Sequence, residues 1–198
     1  MSKLYLIILL LTGFSCTKKE TPKAETLNDR LKAKAVLARS YCKEKDMNLD
    51  MCVLIDMKIP SGKKRFFLWD FKGDSVLKSG MCSNGSCDNL QSYTPADVKF
   101  SNVPNSHCSS LGKYKLGKRG YSTFGIHVNY KLHGLEKTND NAYKRYIVFH
   151  SWNISDEEIY PLEITESWGC PAVSNNFMKE MDVILKHQTK PLLFWIYN

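Results

Sequence analysis

The sequence predicts a β-rich sheet or barrel-like core carrying two helices. Three observations lead there. Short apolar runs rich in β-branched and aromatic residues recur between turn-forming clusters. Two stretches, about 28–45 and Asn175 to His187, instead repeat apolar residues at helical spacing. The 198 residues, 43% hydrophobic and 12% aromatic, suffice for one globular domain with a real core.

The chain opens as an export signal. Lys3 gives a short positive region, Leu4 to Leu11 an apolar run, and Gly13-Phe14-Ser15 a mostly small stretch ending at Cys16. Eight apolar residues are too few to span a bilayer, which takes about 20. A cysteine directly after small residues resembles a bacterial lipobox, which implies a signal peptide over 1–15, lipidation of Cys16 and a periplasmic, membrane-anchored protein. Phe14 departs from the strictest form of that motif, and plain secretion is the other reading. Residues 16–26 form a tether, with Lys18, Lys19, Glu20, Pro22 and Lys23 and no large apolar residue before Leu27. No second linker and no internal repeat follow, so 27–198 reads as a single domain.

Leu27, Leu31, Ala35, Val36, Ala38, Tyr41 and Cys42 set an apolar stripe for the first helix, with Thr26 or Asn28 as its cap. Its stripe is expected to pack on a sheet. Met51 to Met57, Arg65 to Asp70 and Ser75 to Gly80 are strands separated by Pro60-Ser61-Gly62 and Lys72-Gly73-Asp74, a meander. Cys82 to Val98 is loop-like. Ser109 to Leu116 includes a strand, Gly117 to Gly125 a basic loop, and Ile126 to Leu135 alternates in places. Tyr146 to His150 is a buried strand. Ser174 caps the second helix, with Phe177, Met181, Ile184 and Leu185 on one stripe. Pro191 ends it, and Leu192 to Tyr197 closes the chain as a strand.

The net charge of +8 is spread as single lysines and short pairs. A solvated surface and attraction to an anionic polymer both fit that spread. Export removes nucleic acid as a partner. With Cys16 lipidated and Cys170 set aside, Cys42, Cys52, Cys82, Cys87 and Cys108 remain. An oxidising compartment permits disulfides among them, and an odd number leaves one unpaired. Cys82 and Cys87 with His107 and Cys108 also admit a structural zinc site, although the spacing is loose.

The stretch Ser167-Trp168-Gly169-Cys170-Pro171-Ala172-Val173 carries the chemistry. A thiol attacks well only as thiolate, and an imidazole within hydrogen-bond reach can draw off its proton and return it to a leaving amine. His150 ends an apolar run and precedes Cys170 by 20 residues, compatible with a strand end and a returning loop. Gly169 allows a sharp turn, and the N–H groups of Gly169 and Cys170 are candidate oxyanion donors. From residue types alone, Cys170 is equally a small buried residue or a disulfide partner.

The order His150, sixteen residues, then Ser167-Trp168-Gly169-Cys170 resembles the YkuD-type L,D-transpeptidase pattern. It is closer still to the murein L,D-transpeptidase catalytic-domain family, with its Ser-Trp-Gly-Cys-Pro-Ala-Val site. Further stretches carry the likeness: Phe100-Ser101-Asn102, Ser109-Ser110-Leu111-Gly112, Gly134-Leu135-Glu136, Asn139-Asp140-Asn141-Ala142 and Arg145. Together they cover about residues 50 to 198.

The resemblance implies a mainly β, sandwich- or barrel-like catalytic fold with two peripheral helices and a Cys-His groove. Cys170 takes the place of the nucleophile and His150 of the base. The Ser151 carbonyl orients the imidazole, and Gly169 supplies an oxyanion donor. Trp168, Ser167, Arg145 and Ser110 are substrate-binding candidates, and no metal or organic cofactor is required. Better-known members carry His where Trp168 stands, and Arg or Asn where this chain has Pro171 and Ala172. Trp168 therefore either stacks on substrate or packs. A carboxylate-binding cation must come from elsewhere, with Arg145, Lys113 and Arg119 as candidates.

The implied reaction acts on tetrapeptide stems of peptidoglycan, releasing D-alanine and making a 3–3 crosslink. Hydrolysis at the same site, as an L,D-carboxypeptidase, and a non-catalytic peptidoglycan-binding lipoprotein are the alternatives. His107, His127, His133 and His187 have no spacing tied to a role. Ser109 also fits a turn or strand, as does Ser110, and Asn139 to Asn141 fit a loop. The oligomeric state is not legible.

Overall fold

The computed structural model of the chain describes residues 25–88 and 98–198. The expected signal peptide, Cys16 and most of the tether lie outside the described residues, as does part of the loop expected over Cys82 to Val98. The elements run α1 (Leu27–Glu44), β1 (Met51–Asp56), β2 (Phe66–Asp70), β3 (Ser75–Gly80), β4 (Gly112–Tyr121), β5 (Val128–Gly134), β6 (Val148–Trp152), β7 (Ala172–Ser174), α2 (Asn175–Leu185) and β8 (Leu193–Tyr197). The expected mainly β architecture with two helices is present. The described strands form one sheet in the order β3-β2-β1-β8-β4-β5-β6-β7.

That sheet curls on itself. Phe66 on β2 and Phe149 on β6 stack at 5.2 Å, although four strands separate theirs in the sheet order. Only a nearly closed, barrel-like sheet brings such positions together. Val53, Ile55, Phe66, Leu68, Tyr114, Leu132, Phe149 and Phe194 fill the interior with Phe177, Met178 and Met181 of α2. Alternate residues of the same strands point outward. Cys52, Leu54, Phe67, Trp69 and Leu193 pack beneath α1. β1 is thus covered on both faces, which is why it reads as an unbroken apolar run rather than an alternating one.

The predicted meander β1-β2-β3 is antiparallel. The last strand, β8, then inserts between β1 and β4, parallel to the former and antiparallel to the latter. Thr26 caps α1 through a capping box with Asp29. Its buried stripe is Leu31, Ala35, Ala38 and Cys42, spaced by four, three and four. Val36, expected in that stripe, is 67% exposed because it lies about 100° around the helix from Ala35. Ser174 caps α2, its hydroxyl accepting from Phe177 N.

Two further expectations change. The basic stretch after Leu116 is not a loop at first: β4 continues to Tyr121, with a register shift between Leu116 and Arg119. A β-bulge lets charged and glycine residues extend a strand at a sheet bend. Tyr146 is not a buried strand residue. It is 78% exposed, at φ +58°, and β6 starts only at Val148.

Candidate active site

Parallel pairing of β6 with β7 sets the site. His150 is in register with Ala172, and its N–H donates to the Pro171 carbonyl at 3.4 Å. Cys170 lies two residues before Ala172, so it falls on the face that His150 presents. Both side chains line one cleft of about 380 Å³, with Phe124, Trp152, Glu166 and Trp168 among its walls. Cys170 is partly exposed and forms no disulfide.

His150 is 5% exposed, and its Nδ1 lies 2.9 Å from the Ser151 carbonyl. A carbonyl only accepts, so Nδ1 carries the proton and the Nε2 of the neutral ring is left as the basic nitrogen. Burial holds the His150 pKa below its ordinary value, with the Ser151 carbonyl opposing. The imidazole is therefore uncharged at neutral pH. Phe124 lies against it, ring centroids 5.5 Å apart, and packs on Trp152 at 4.7 Å. The Phe124 loop is tied down where Ile126 N donates to Ser151 Oγ at 3.0 Å.

The Cys170 sulfur is held from two sides. Val148 N donates to it at 3.4 Å, and the thiol faces the Tyr146 carbonyl at 3.8 Å. Tyr146, which supplies one of these contacts, holds a left-handed conformation that is costly for a bulky residue. Burial pushes the thiol pKa up, while the Val148 N–H and the charges of Arg145 and Lys131 pull it down. The resting pair is neutral thiol and neutral imidazole.

The turn bearing Cys170 is clamped by serines. Ser167 Oγ donates to the Cys170 carbonyl at 2.6 Å and accepts from Gly169 N at 3.2 Å. Ser83 Oγ donates to that carbonyl at 3.3 Å and accepts from Ala172 N at 3.1 Å. Ser109 Oγ donates to the Gly169 carbonyl at 3.2 Å. The Gly169 N–H, expected as an oxyanion donor, is thus turned onto Ser167. Among the described residues the Cys170 N–H has no acceptor and is the donor left open.

The sequence candidates divide on these contacts. Ser167 lines the cleft, but its hydroxyl serves the turn. Trp168 stands on the rim, 75% exposed, with His107 stacked on it at 4.8 Å. His107, given no role from spacing, is held there by Asp88 at 2.5 Å. Arg145 is off the cleft wall. Its guanidinium donates to the carbonyls of Ser101 and Cys108 and to the hydroxyls of Ser110 and Ser106. Ser110, 2% exposed, completes that brace rather than meeting substrate. Lys113 pairs with Glu136 and packs over Trp195, and Arg119 grips Asp182 with two bonds, so neither is available to the cleft. The zinc reading fails because Cys87 and Cys108 are joined as a disulfide. Sequence reading missed Phe124, Trp152 and Glu166. Their only signal is nearness in space to His150 and Cys170.

A sequence model described as the L,D-transpeptidase catalytic domain matches residues 23–195. The chain belongs to that family. The chain is similar to several solved structures. The helical cell shape determining protein Pgp2 from Campylobacter jejuni is 12% identical, with 81% of this chain and 55% of that one covered and a TM-score of 0.45. The Ldtfm–avibactam carbamoyl enzyme is 10% identical, covering 75% and 49%, at a TM-score of 0.43. The LD transpeptidase LdtMt1 in complex with imipenem is 12% identical, covering 75% and 59%, at 0.40. The chain spans about half the length of the first of these structures. No curated protein matches the sequence.

Proposed function

We propose that this L,D-transpeptidase domain joins peptidoglycan stems through a thioester on Cys170. The observation that carries this reading is the shared cleft of Cys170 and His150, with Nδ1 facing the Ser151 carbonyl. Cys170 Sγ attacks the carbonyl carbon between the third and fourth residues of a tetrapeptide stem, and its proton passes to His150 Nε2. The oxyanion forms beside the Cys170 N–H; one such donor is worth about 3 kcal/mol. The C–N bond then breaks, and His150 returns the proton to the departing D-alanine amine. The side-chain amine of a second stem attacks the thioester, gives its proton to His150 and restores the thiol. Water in place of that amine gives the L,D-carboxypeptidase outcome.

The test is intact-protein mass spectrometry with a tetrapeptide stem. An adduct lighter than the peptide by D-alanine should appear, and Cys170→Ala should abolish it while the circular dichroism stays native. Crosslinked dimer on adding an acceptor stem identifies transfer. Hydrolysed stem alone identifies the carboxypeptidase, and an adduct on Cys170→Ala would overturn the nucleophile.

We also propose export and lipid anchoring through Cys16. The apolar run Leu4 to Leu11 supports this, as does the Cys87–Cys108 disulfide, since such bonds persist in oxidising compartments. Palmitate labelling should be lost in Cys16→Ser; labelling that persists would overturn the anchor.

A further inference from the structure

Glu166 lines the cleft that holds Cys170 and His150. Among the described residues the other walls, including Phe124, Trp152, Trp168 and Thr165, are uncharged, and neither lysine nor arginine lines it. This is the reverse of the chain as a whole, which has 28 Lys and Arg against 20 Asp and Glu. A cleft so lined offers an arriving cation a carboxylate partner.

Glu166 is partly buried and has no ion-pair partner among the described residues. Its neighbour Glu163 is occupied differently, accepting from Ser61 N at 2.6 Å and from the Ser61 hydroxyl. Burial pushes the Glu166 carboxyl up, Asn84 opposes, and the charge of Glu163 adds to the rise. A carboxylate partly removed from water and within the field of a second carboxylate gains from an arriving cation. The aromatic rings of Phe124, Trp152 and Trp168 add faces on which the methylenes of an alkylammonium can lie and toward which its charge is attracted.

We infer that Glu166 is the recognition group for an alkylammonium of a stem peptide in the cleft that also holds Cys170. The inference rests on the stem-peptide reading above. Two amines have this chemistry: the side-chain amine of the donor stem, and that of the acceptor stem before it attacks.

Binding is measured on Cys170→Ala, where no chemistry intervenes, with two tetrapeptide stems: one with a free side-chain amine, one acetylated there. The free amine should bind about tenfold tighter. Glu166→Gln in the same background should bring the ratio to about one, and Glu166→Asp should keep part of it. A ratio unchanged in Glu166→Gln, or no binding by the free-amine stem, overturns the site. With Cys170 intact, a loss of discrimination in thioester formation assigns the donor amine, and a loss only in transfer assigns the acceptor amine. Glu166-dependent discrimination without any thioester would keep the ammonium site and remove the transpeptidase reading. Thioester without discrimination would do the opposite.

Discussion

Gly169 lies against Cys108. A Cβ on Gly169 would stand 2.6 Å from the Cys108 carbonyl oxygen, and its φ of +103° is one that side chains rarely adopt. The same carbonyl accepts from Arg145 at 2.6 Å, so it is wedged between the Gly169–Cys170 turn and the arginine brace. Gly169→Ala should cost roughly 1–3 kcal/mol of stability from backbone strain alone. It should also slow thioester formation at Cys170. Urea unfolding and the thioester rate check this. A variant with native stability and full rate would mean that the turn moves freely.

Arg145 acts on Cys170 by brace and by charge. Arg145→Gln should raise the thiol pKa, since the guanidinium charge holds it down. Arg145→Lys should raise it less, because charge is kept while the four-way fork is lost. The pH profile of Cys170 alkylation reads this, with the labelled cysteine located by mass spectrometry; Cys42, Cys52 and Cys82 are buried. An unchanged profile in Arg145→Gln would show that the charge does not reach the sulfur.

The Cys87–Cys108 disulfide ties the Gly85 segment to the wall that carries His107 and Ser109. It closes a separation of 21 residues, for which chain entropy gives about 3 kcal/mol. Replacing both cysteines by serine should lower the unfolding free energy by that order in denaturant titration. It should also slow thioester formation, since the Ser109 hydroxyl that holds the Gly169 carbonyl sits on the same wall. Loss of stability with an unaltered rate would separate the disulfide from the site.

Burial keeps His150 neutral below its ordinary pKa of 6.5. The acid limb of thioester formation should therefore have its midpoint below 6.5, since the base fails only when the folded imidazole takes a proton. The unfolded chain takes that proton first as pH falls. The stability contributed by His150 is thus present above pH 6.5 and is lost as pH falls through the lower folded value. His150→Gln should slow the reaction by about 10²–10⁴-fold and remove this limb. A midpoint above 6.5 in the native protein would contradict a buried neutral base.

Most of the order of strands and helices was legible because local pattern encodes it; β7, three residues defined by parallel pairing with β6, was not. Thr26 and Ser174 announce helix starts by cap chemistry, and Met51 to Asp56 announces a strand by its apolar run. Errors fell where local and tertiary signals part. Lys118 and Arg119 look like loop, yet a bulge carries them into β4. Val36 looks like core, yet one step around α1 turns it to water. Arg145 looks like a substrate clamp because charge is visible in sequence, whereas the carbonyls of Ser101 and Cys108 that take up its donors are not.

By itself the sequence determined the residue types of the site and their order, His150 before Ser167-Trp168-Gly169-Cys170, because motif spacing is a one-dimensional property. Only the tertiary structure decided what meets them. The parallel pairing of β6 with β7, the insertion of β8 beside β1 and the Cys87–Cys108 link join segments far apart in the chain. Those pairings depend on a curled sheet closing over one core, a long-range burial that no local window contains. They also bring Glu166, unremarkable in its own stretch, into the cleft that holds Cys170.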